Sequence, residues 1–339
     1  MLYRGGLETR MWTYMRRLQE MGHEVTVIVF RIGKGITVPP GIRLIHVPLW
    51  YVPKMFRAYF FDKKLGKIME RERFDFALSL GRTSHQDAVL LPGNHLGYLR
   101  AMGLKGRSID DRLQIMMDAK GYAAPGTILA CSEMMRDEVI ELYNVPAEKI
   151  KVLYPPSDTA RFHQGLRANR AALREKFGMR PDRICCVLVS ASHGRKGLPL
   201  LLQVFEKLQD QGFDLYVAGA ESVGSQLPNV HSLGFVKDTE NLFAAADFTL
   251  LPALYEPFGQ VVSESLMCGT PVIVSAFVGA KAVIGENEGL VLPDLNEATW
   301  LQAIQSLPTR DFKIEPGFAE RHGISVDAHL AGILELMPV

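Results

Sequence analysis

The chain has 339 residues, 47% of them hydrophobic, and a mean hydropathy of +0.06. At roughly 100–200 residues per domain, this length predicts two domains, and the apolar content suffices for two cores. Lys and Arg total 38 against 37 Asp and Glu, a balance that excludes a dedicated nucleic-acid binder or an acidic tail. The charge is unevenly placed: residues 1–120 carry 20 basic against 11 acidic side chains, and the other 219 carry 18 against 26. A basic first part suits an anionic partner, such as a membrane surface or a phosphorylated acceptor. The plainer reading is an uneven scatter over solvated faces.

Four cysteines, Cys131, Cys185, Cys186 and Cys268, form no disulfide framework and match no metal-site spacing. Together with the lack of a signal peptide or an apolar run of about 18 residues, this predicts a cytoplasmic chain in a reducing compartment.

Leu7, Met11, Tyr14, Met15 and Leu18 fall at helical spacing, so a helix opens the chain. Glu24–Phe30 follows as a near-continuous apolar run, the pattern of a strand buried on both faces. Arg43–Val47, Phe76–Leu80, Ala88–Leu91 and Thr127–Ala130 read as further strands, and Ser132 as the N-cap of a helix through Tyr143. Beyond a junction near Tyr154–Pro156, strands are predicted at Cys185–Val189, Asp214–Ala218, Val230–Leu233, Asp247–Leu251, Pro271–Ser275 and Leu290–Leu292. Helices are predicted near Leu198–Gln209, Thr239–Ala246, Gln260–Cys268 and Glu297–Ser306. This alternation predicts an α/β protein of two Rossmann-like, doubly wound parallel-sheet domains, with ligands bound at strand carboxyl ends in the cleft between them. The expected division is 1–157, 158–312 and a segment 313–339 whose apolar helix returns to the first domain. Hinges are expected near Tyr154–Ser157 and Pro308–Pro316. A first parallel strand belongs before the Gly5-Gly6 turn, where Met1–Arg4 offer only a stub, so the start reads as shortened or the first strand as missing.

Two stretches carry chemistry. Ser192-His193-Gly194-Arg195-Lys196-Gly197 follows a strand and opens a helix, so glycine-flanked N–H groups, a helix dipole and two cations converge as a phosphate cradle. The same pattern also describes a plain turn with two solvated cations. Glu256-Pro257-Phe258-Gly259-Gln260 turns from a strand into a helix, and Glu264 lies one turn further on. This fixes a carboxylate at the strand end and leaves first-turn N–H groups of Phe258, Gly259 and Gln260 for a ligand. Carboxylates so placed accept hydrogen bonds from vicinal hydroxyls. A dipole-favoured Glu beside an unrelated surface Glu would look the same.

Arg195-Lys196-Gly197 with Glu256-x7-Glu264, the text Leu251–Gly259, Ala245-Ala246-Asp247 and Cys268–Ile273 resemble the retaining nucleotide-sugar glycosyltransferases of GT-B fold, family four. Gly5-Gly6-Leu7-Glu8, Gly22–Val25 and Ile150–Pro156 fit as well, so the likeness spans nearly the whole chain. The short Gly194–Gly197 form looks most like the lipopolysaccharide-core glucosyltransferases. The resemblance implies that Arg195 and Lys196 hold the donor diphosphate, with Gly194, Gly5 and Gly6 close to it. It implies that Glu256 accepts hydroxyls of the transferred sugar, that Phe258, Gly259 and Gln260 supply N–H groups, and that Glu264 binds the ribose. The loop before Phe235 would border the base, and His95 would stand in the catalytic cleft. His85 and Asp87 compete with His95 for that place, and a lone histidine after a strand serves as readily in a structural role.

The implied reaction moves a sugar from a nucleoside diphosphate sugar, UDP-linked, to a saccharide acceptor that is lipid-linked. It uses no cofactor or metal: Arg195 and Lys196 take the charge that builds on the leaving group. Trp50, Tyr51, Phe56, Tyr59, Phe60 and Phe61, interleaved with Lys54, Arg57, Lys63, Lys64 and Lys67, fit a segment at a membrane interface or an ordinary amphipathic helix. The first sense makes the protein peripheral on the inner face of a membrane. A soluble acceptor, or nucleotide-sugar binding without turnover, are the alternatives.

Overall fold

The computed structural model describes residues 6–219 and 222–337. Gly5 and the stub Met1–Arg4 lie outside them. The chain divides into two compact units, one running to Tyr154 and resumed from Val326, the other spanning Pro155–Ser325.

The first unit contains α1 (Gly6–Glu20), β1 (Thr26–Val29), β2 (Arg43–His46), α2 (Arg57–Arg71), β3 (Leu78–Ser79), β4 (Ala88–Leu91), α3 (His95–Ala101), α4 (Ile109–Ala123), β5 (Thr127–Ala130), α5 (Glu133–Tyr143) and β6 (Ile150–Val152). All pairings are parallel, in two ladders: β1-β2 and β3-β4-β5-β6. Helix α1 serves both ladders. Trp12 and Met15 pack on Val27 and Val29, while Tyr14 packs on Ala88 and Leu90. Strand β1 departs from the expectation of burial on both faces. Only Val27 and Val29 are buried, and Thr26 and Ile28 are half-buried: among the described residues the strand pairs with β2 alone, and α1 covers one face. Ser132 does cap α5, accepting from the Met135 N–H at 3.2 Å. Strand β6 is not predicted by the sequence pattern: three residues centred on Lys151 carry too little of it.

The second unit holds α6 (Arg170–Lys176), β7 (Ile184–Val189), α7 (Leu198–Lys207), β8 (Phe213–Ala218), β9 (Val230–Gly234), α8 (Thr239–Ala245), β10 (Phe248–Leu251), α9 (Gln260–Met267), β11 (Val272–Ser275), β12 (Gly289–Leu292), α10 (Glu297–Gln305) and α11 (Phe318–Arg321). Its six strands run parallel in the order β12-β11-β10-β7-β8-β9. Strands β8, β10 and β11 are buried along their whole length, as strands between two helical layers must be. The chain winds outward from β7 to β9, then returns to the other side of β7 for β10. The adjacent carboxyl ends of β7 and β10 are therefore the topological switch point, where open α/β sheets bind ligands.

Residues 313–325, expected with the returning segment, pack in the second unit. Phe318 and Ala319 are buried there, Arg321 reaches Glu288 at 2.8 Å, and the Lys313 N–H donates to the Asn287 carbonyl. The chain thus leaves this unit at Ser325, not at Pro308–Pro316. The last helix, α12 (Val326–Leu334), closes the first unit. Its Leu330 and Ile333 join the Tyr14–Leu90 core, and the Tyr14 hydroxyl lies 2.5 Å from His329 Nε2.

Candidate functional site at the β7 and β10 strand ends

After β7 the chain passes through Ser190 into the turn Ser192–Gly197. Gly197 takes φ +82°, and a Cβ there would stand 1.9 Å from the Pro252 carbonyl oxygen, so only glycine lets the turn lie against the loop that leaves β10. The Leu254 N–H donates to the Arg195 carbonyl at 2.9 Å and locks the two loops together. The loop after β10 is held from its other side as well. The Glu256 N–H donates to the Phe277 carbonyl, the Glu256 carbonyl accepts from Gly279, and the Phe258 carbonyl accepts from Ala280. Phe258 is buried. Gly259, at φ +96°, turns the chain into α9, which no side chain caps.

These braces bring Arg195, Lys196 and Glu256 together. Arg195 Nη1 donates to the Tyr255 carbonyl at 2.5 Å and to Glu256 Oε2 at 3.1 Å. Lys196 Nζ stands 3.5 Å from the same oxygen. One carboxylate therefore sits between two cations at the switch point, with the first turn of α9 beside it. Such a group can hold a polyanion on its cations and accept hydroxyls on its carboxylate.

Glu264 lies one turn into α9. Burial pushes its carboxyl up to about 7, against the pull of the positive Arg161 and Lys196 and with the nearby Glu240 acting in the same sense as burial. Arg161 is itself tied to Glu240, Nε to Oε2 at 2.7 Å. These two residues escaped the sequence reading: they are separated by 79 positions, and neither lies in a motif. Gln260 turns its side-chain amide to the Pro156 carbonyl at 3.1 Å. Gly194 belongs to the turn. Phe235 stands apart from the cluster, 80% exposed just past β9 and two strands away from β7.

In the first unit, His95 opens α3 at the carboxyl end of β4. Its Nε2 lies 2.8 Å from Asp111 Oδ1, and its backbone N–H donates to Asp118, which also accepts from Arg82 at 2.6 Å. The Ser108 hydroxyl, then His95, hold Asp111 below the usual carboxylate range. Gly81, Arg82, Thr83, Pro92 and Asp118 line a cavity of about 120 Å³ beside it. The rival candidates sit elsewhere. Asp87 accepts from the Ala77 N–H at 2.7 Å at the other end of β4, and the His85 ring lies against Gly66 of α2. Gly6 begins α1. Asp111 was also missed, although Ser108-x-x-Asp111 forms a capping box, a signal legible in sequence.

Comparison with known proteins fits this geometry. The family described as Glycosyltransferase Family 4 matches residues 4–161, and that described as Glycosyl transferases group 1 matches residues 183–309. A "probable transglycosylase" of Burkholderia thailandensis is 33% identical over 347 residues, covering 98% of this chain and 93% of that protein. Among solved structures, WaaG, a glycosyltransferase involved in lipopolysaccharide biosynthesis, superposes with a TM-score of 0.76 at 19% identity over 98% of this chain and 93% of its own. HepE of Anabaena, solved with UDP and glucose, does so at 0.68 and 15% identity over 98% and 95%.

The fold, with its two parallel-sheet units, is of the GT-B class of glycosyltransferase folds. The chain belongs to glycosyltransferase family 4.

Proposed function

We propose that this glycosyltransferase moves a sugar from UDP to a saccharide acceptor carried on a lipid, with retention at the anomeric carbon. The observation that carries the donor side is the Glu256 carboxylate set between Arg195 and Lys196 at the switch point. The UDP complex of HepE, a protein of the same fold, supports uridine as the base. The lipopolysaccharide role of WaaG supports a lipid-linked acceptor.

In this reading Arg195 and Lys196 bind the diphosphate, with Gly194 beside them in the same turn. Glu256 then exchanges its cations for hydroxyls of the transferred sugar. Phe258, Gly259 and Gln260 supply first-turn N–H groups, Glu264 takes the ribose hydroxyls, and Phe235 borders the base. The bond between the anomeric carbon and the phosphate oxygen breaks with its electron pair going to the phosphate, whose charge Arg195 and Lys196 meet. The acceptor hydroxyl bonds to the same face of the sugar and its proton passes to the departing phosphate oxygen, so no protein nucleophile is needed. His95, oriented by Asp111, stands on the acceptor side.

The test is a thermal-shift series with UDP, GDP, ADP and their sugar conjugates, on the protein and on Glu264→Ala. Stabilisation by UDP and a UDP-sugar, lost in the variant, is the expected result. Stabilisation by GDP or ADP in its place would overturn the base, and none by any nucleotide would overturn the donor site.

A further inference from the structure

We propose that Arg161 is the positioning residue for Glu264: tied to the start of α8, it supplies the positive charge that keeps Glu264 a carboxylate and leaves both carboxylate oxygens open for the vicinal hydroxyls of a ribose. The inference deepens the donor reading and rests on it, because a ribose reaches this carboxylate as part of a nucleotide.

The segment that opens the second unit runs beside α9. Its Pro156 carbonyl accepts from the Gln260 amide at 3.1 Å, and the Ser157 hydroxyl lies 3.4 Å from that of Ser263, the residue before Glu264. Asp158 Oδ1 then accepts from the Arg161 N–H at 3.1 Å and sets Arg161 on a short turn. The guanidinium is committed to the start of α8. Nε donates to Glu240 Oε2 at 2.7 Å, and Nη2 donates to the Lys237 carbonyl at 2.7 Å and to the Thr239 hydroxyl at 3.3 Å. Its central carbon stands 4.9 Å from the centre of the buried Phe162 ring. A planar fork bonded on two sides and stacked on a ring is held in one orientation.

Glu264 and Glu256 are treated differently. Glu256 is bonded by Arg195 and flanked by Lys196, whereas no donor among the described residues bonds the Glu264 side chain. Charge still reaches Glu264. Burial raises its carboxyl, Arg161 and then Lys196 oppose that rise, and Glu240 adds to it. Lys196 is drawn to Glu256 and, in the donor reading, to the diphosphate, so the steady positive charge at Glu264 is that of Arg161. Cys268, one turn further along α9, is a neutral thiol, pushed up to about 12 by burial. Asp158 and the charged residues of the other elements packed on α9, Lys281, Glu320 and Arg321, are exposed. A carboxylate accepts on both oxygens, while its protonated form spends one on an O–H. Two vicinal hydroxyls that donate together therefore need the charged form. A direct pair between Arg161 and Glu264 would have to be displaced by the diol, but Glu240 occupies the guanidinium instead.

The test is calorimetric titration of the full chain with UDP-glucose, whose diphosphate does not titrate near neutrality, between about pH 5.5 and 8.5. Binding to the parent should tighten about tenfold per pH unit on the acid side and level off above about 7. In Arg161→Met the levelling should move to higher pH, with binding at neutral pH weakened about three- to tenfold. Arg161→Lys, which keeps the charge, should restore most of the loss. Glu264→Gln should bind weakly with a flat profile, and adding Arg161→Met to it should change little. A UDP analogue lacking both ribose hydroxyls separates this role from a merely structural one: Arg161→Met should weaken UDP more than the analogue. An unmoved profile in Arg161→Met, an equal loss for the analogue, or an equal loss in the Glu264→Gln background would overturn the inference and leave the donor site standing. No binding of UDP or UDP-glucose to the parent at any pH would overturn both.

Discussion

Arg195 and Glu256 are 61 positions apart in the chain, yet Nη1 of the one stands 3.1 Å from Oε2 of the other. The same guanidinium nitrogen donates to the Tyr255 carbonyl, so the arginine is oriented before any ligand arrives. That fork is lost to a lysine, whose ammonium is a point charge. Arg195→Ala should lower kcat for transfer by about 10²–10³, and Arg195→Lys should recover only part of this. Turnover with a UDP-sugar donor measures both. Equal activity in Arg195→Lys and the parent would mean that charge alone suffices.

Glu264 gives a pH signature. Its carboxyl rises from the ordinary 4.5 to about 7 on folding, chiefly by burial. The folded state therefore holds more protons than the unfolded one between those values. The stability it contributes is complete below about 4.5 and is lost as pH climbs through 7, by at most about 1.4 kcal/mol per pH unit. Glu264→Gln should be free of that decline. Urea denaturation of parent and variant across this range, without nucleotide, reads it.

His329 should behave oppositely. The Tyr154 carbonyl fixes a proton on Nδ1, 2.8 Å away, so Nε2 accepts from Tyr14. Burial first, with Arg10 adding to it against the Tyr154 hydrogen bond, lowers its pKa to about 4 from 6.5. The unfolded chain thus binds a proton that the folded one refuses. Stability is complete above about 6.5 and falls by up to about 3 kcal/mol as pH drops through 4. The advantage of the parent over His329→Gln should be largest at neutral pH and disappear near pH 4. A constant difference would mean that the ring is not buried neutral.

Asp62 is a third target. It has no exposed surface, and it accepts from the Ser84 N–H at 2.6 Å and from Lys120 at 2.6 Å. Asp62→Ala strands those donors and should cost about 2–4 kcal/mol. Lys120→Ala, on a half-exposed partner, leaves the carboxylate its Ser84 bonds and should cost less than half as much. Denaturant midpoints of the two variants decide the order.

Legibility in the sequence followed the physics of each element. Ala88–Leu91 and Thr127–Ala130 were bounded to the residue, because a strand buried on both faces writes itself as an unbroken apolar run. Helix α4 left little pattern: Met117 is buried, yet Ile109 and Met116 face outward, so its apolar residues do not mark one face. The cluster Arg195, Lys196 and Glu256 was legible because each member sits in the loop just after a strand. Arg161 and Glu240 were not, since only tertiary folding brings them near Glu264. No pattern within either segment signals a neighbour 79 positions away.

The Tyr14–His329 contact also has a bearing on biosynthesis. The second unit is one uninterrupted stretch, Pro155–Ser325, and every residue it needs has been made before Val326 is added. The first unit, begun earlier, waits with its Leu90–Leu129 core open on the side that Leu330 and Ile333 will cover. The first unit, begun first, is thus the last to have all its residues. A ribosome that stops between Ser325 and His329 releases a chain that has every residue of the latter unit and leaves the older one unsealed, with Tyr14 without its imidazole.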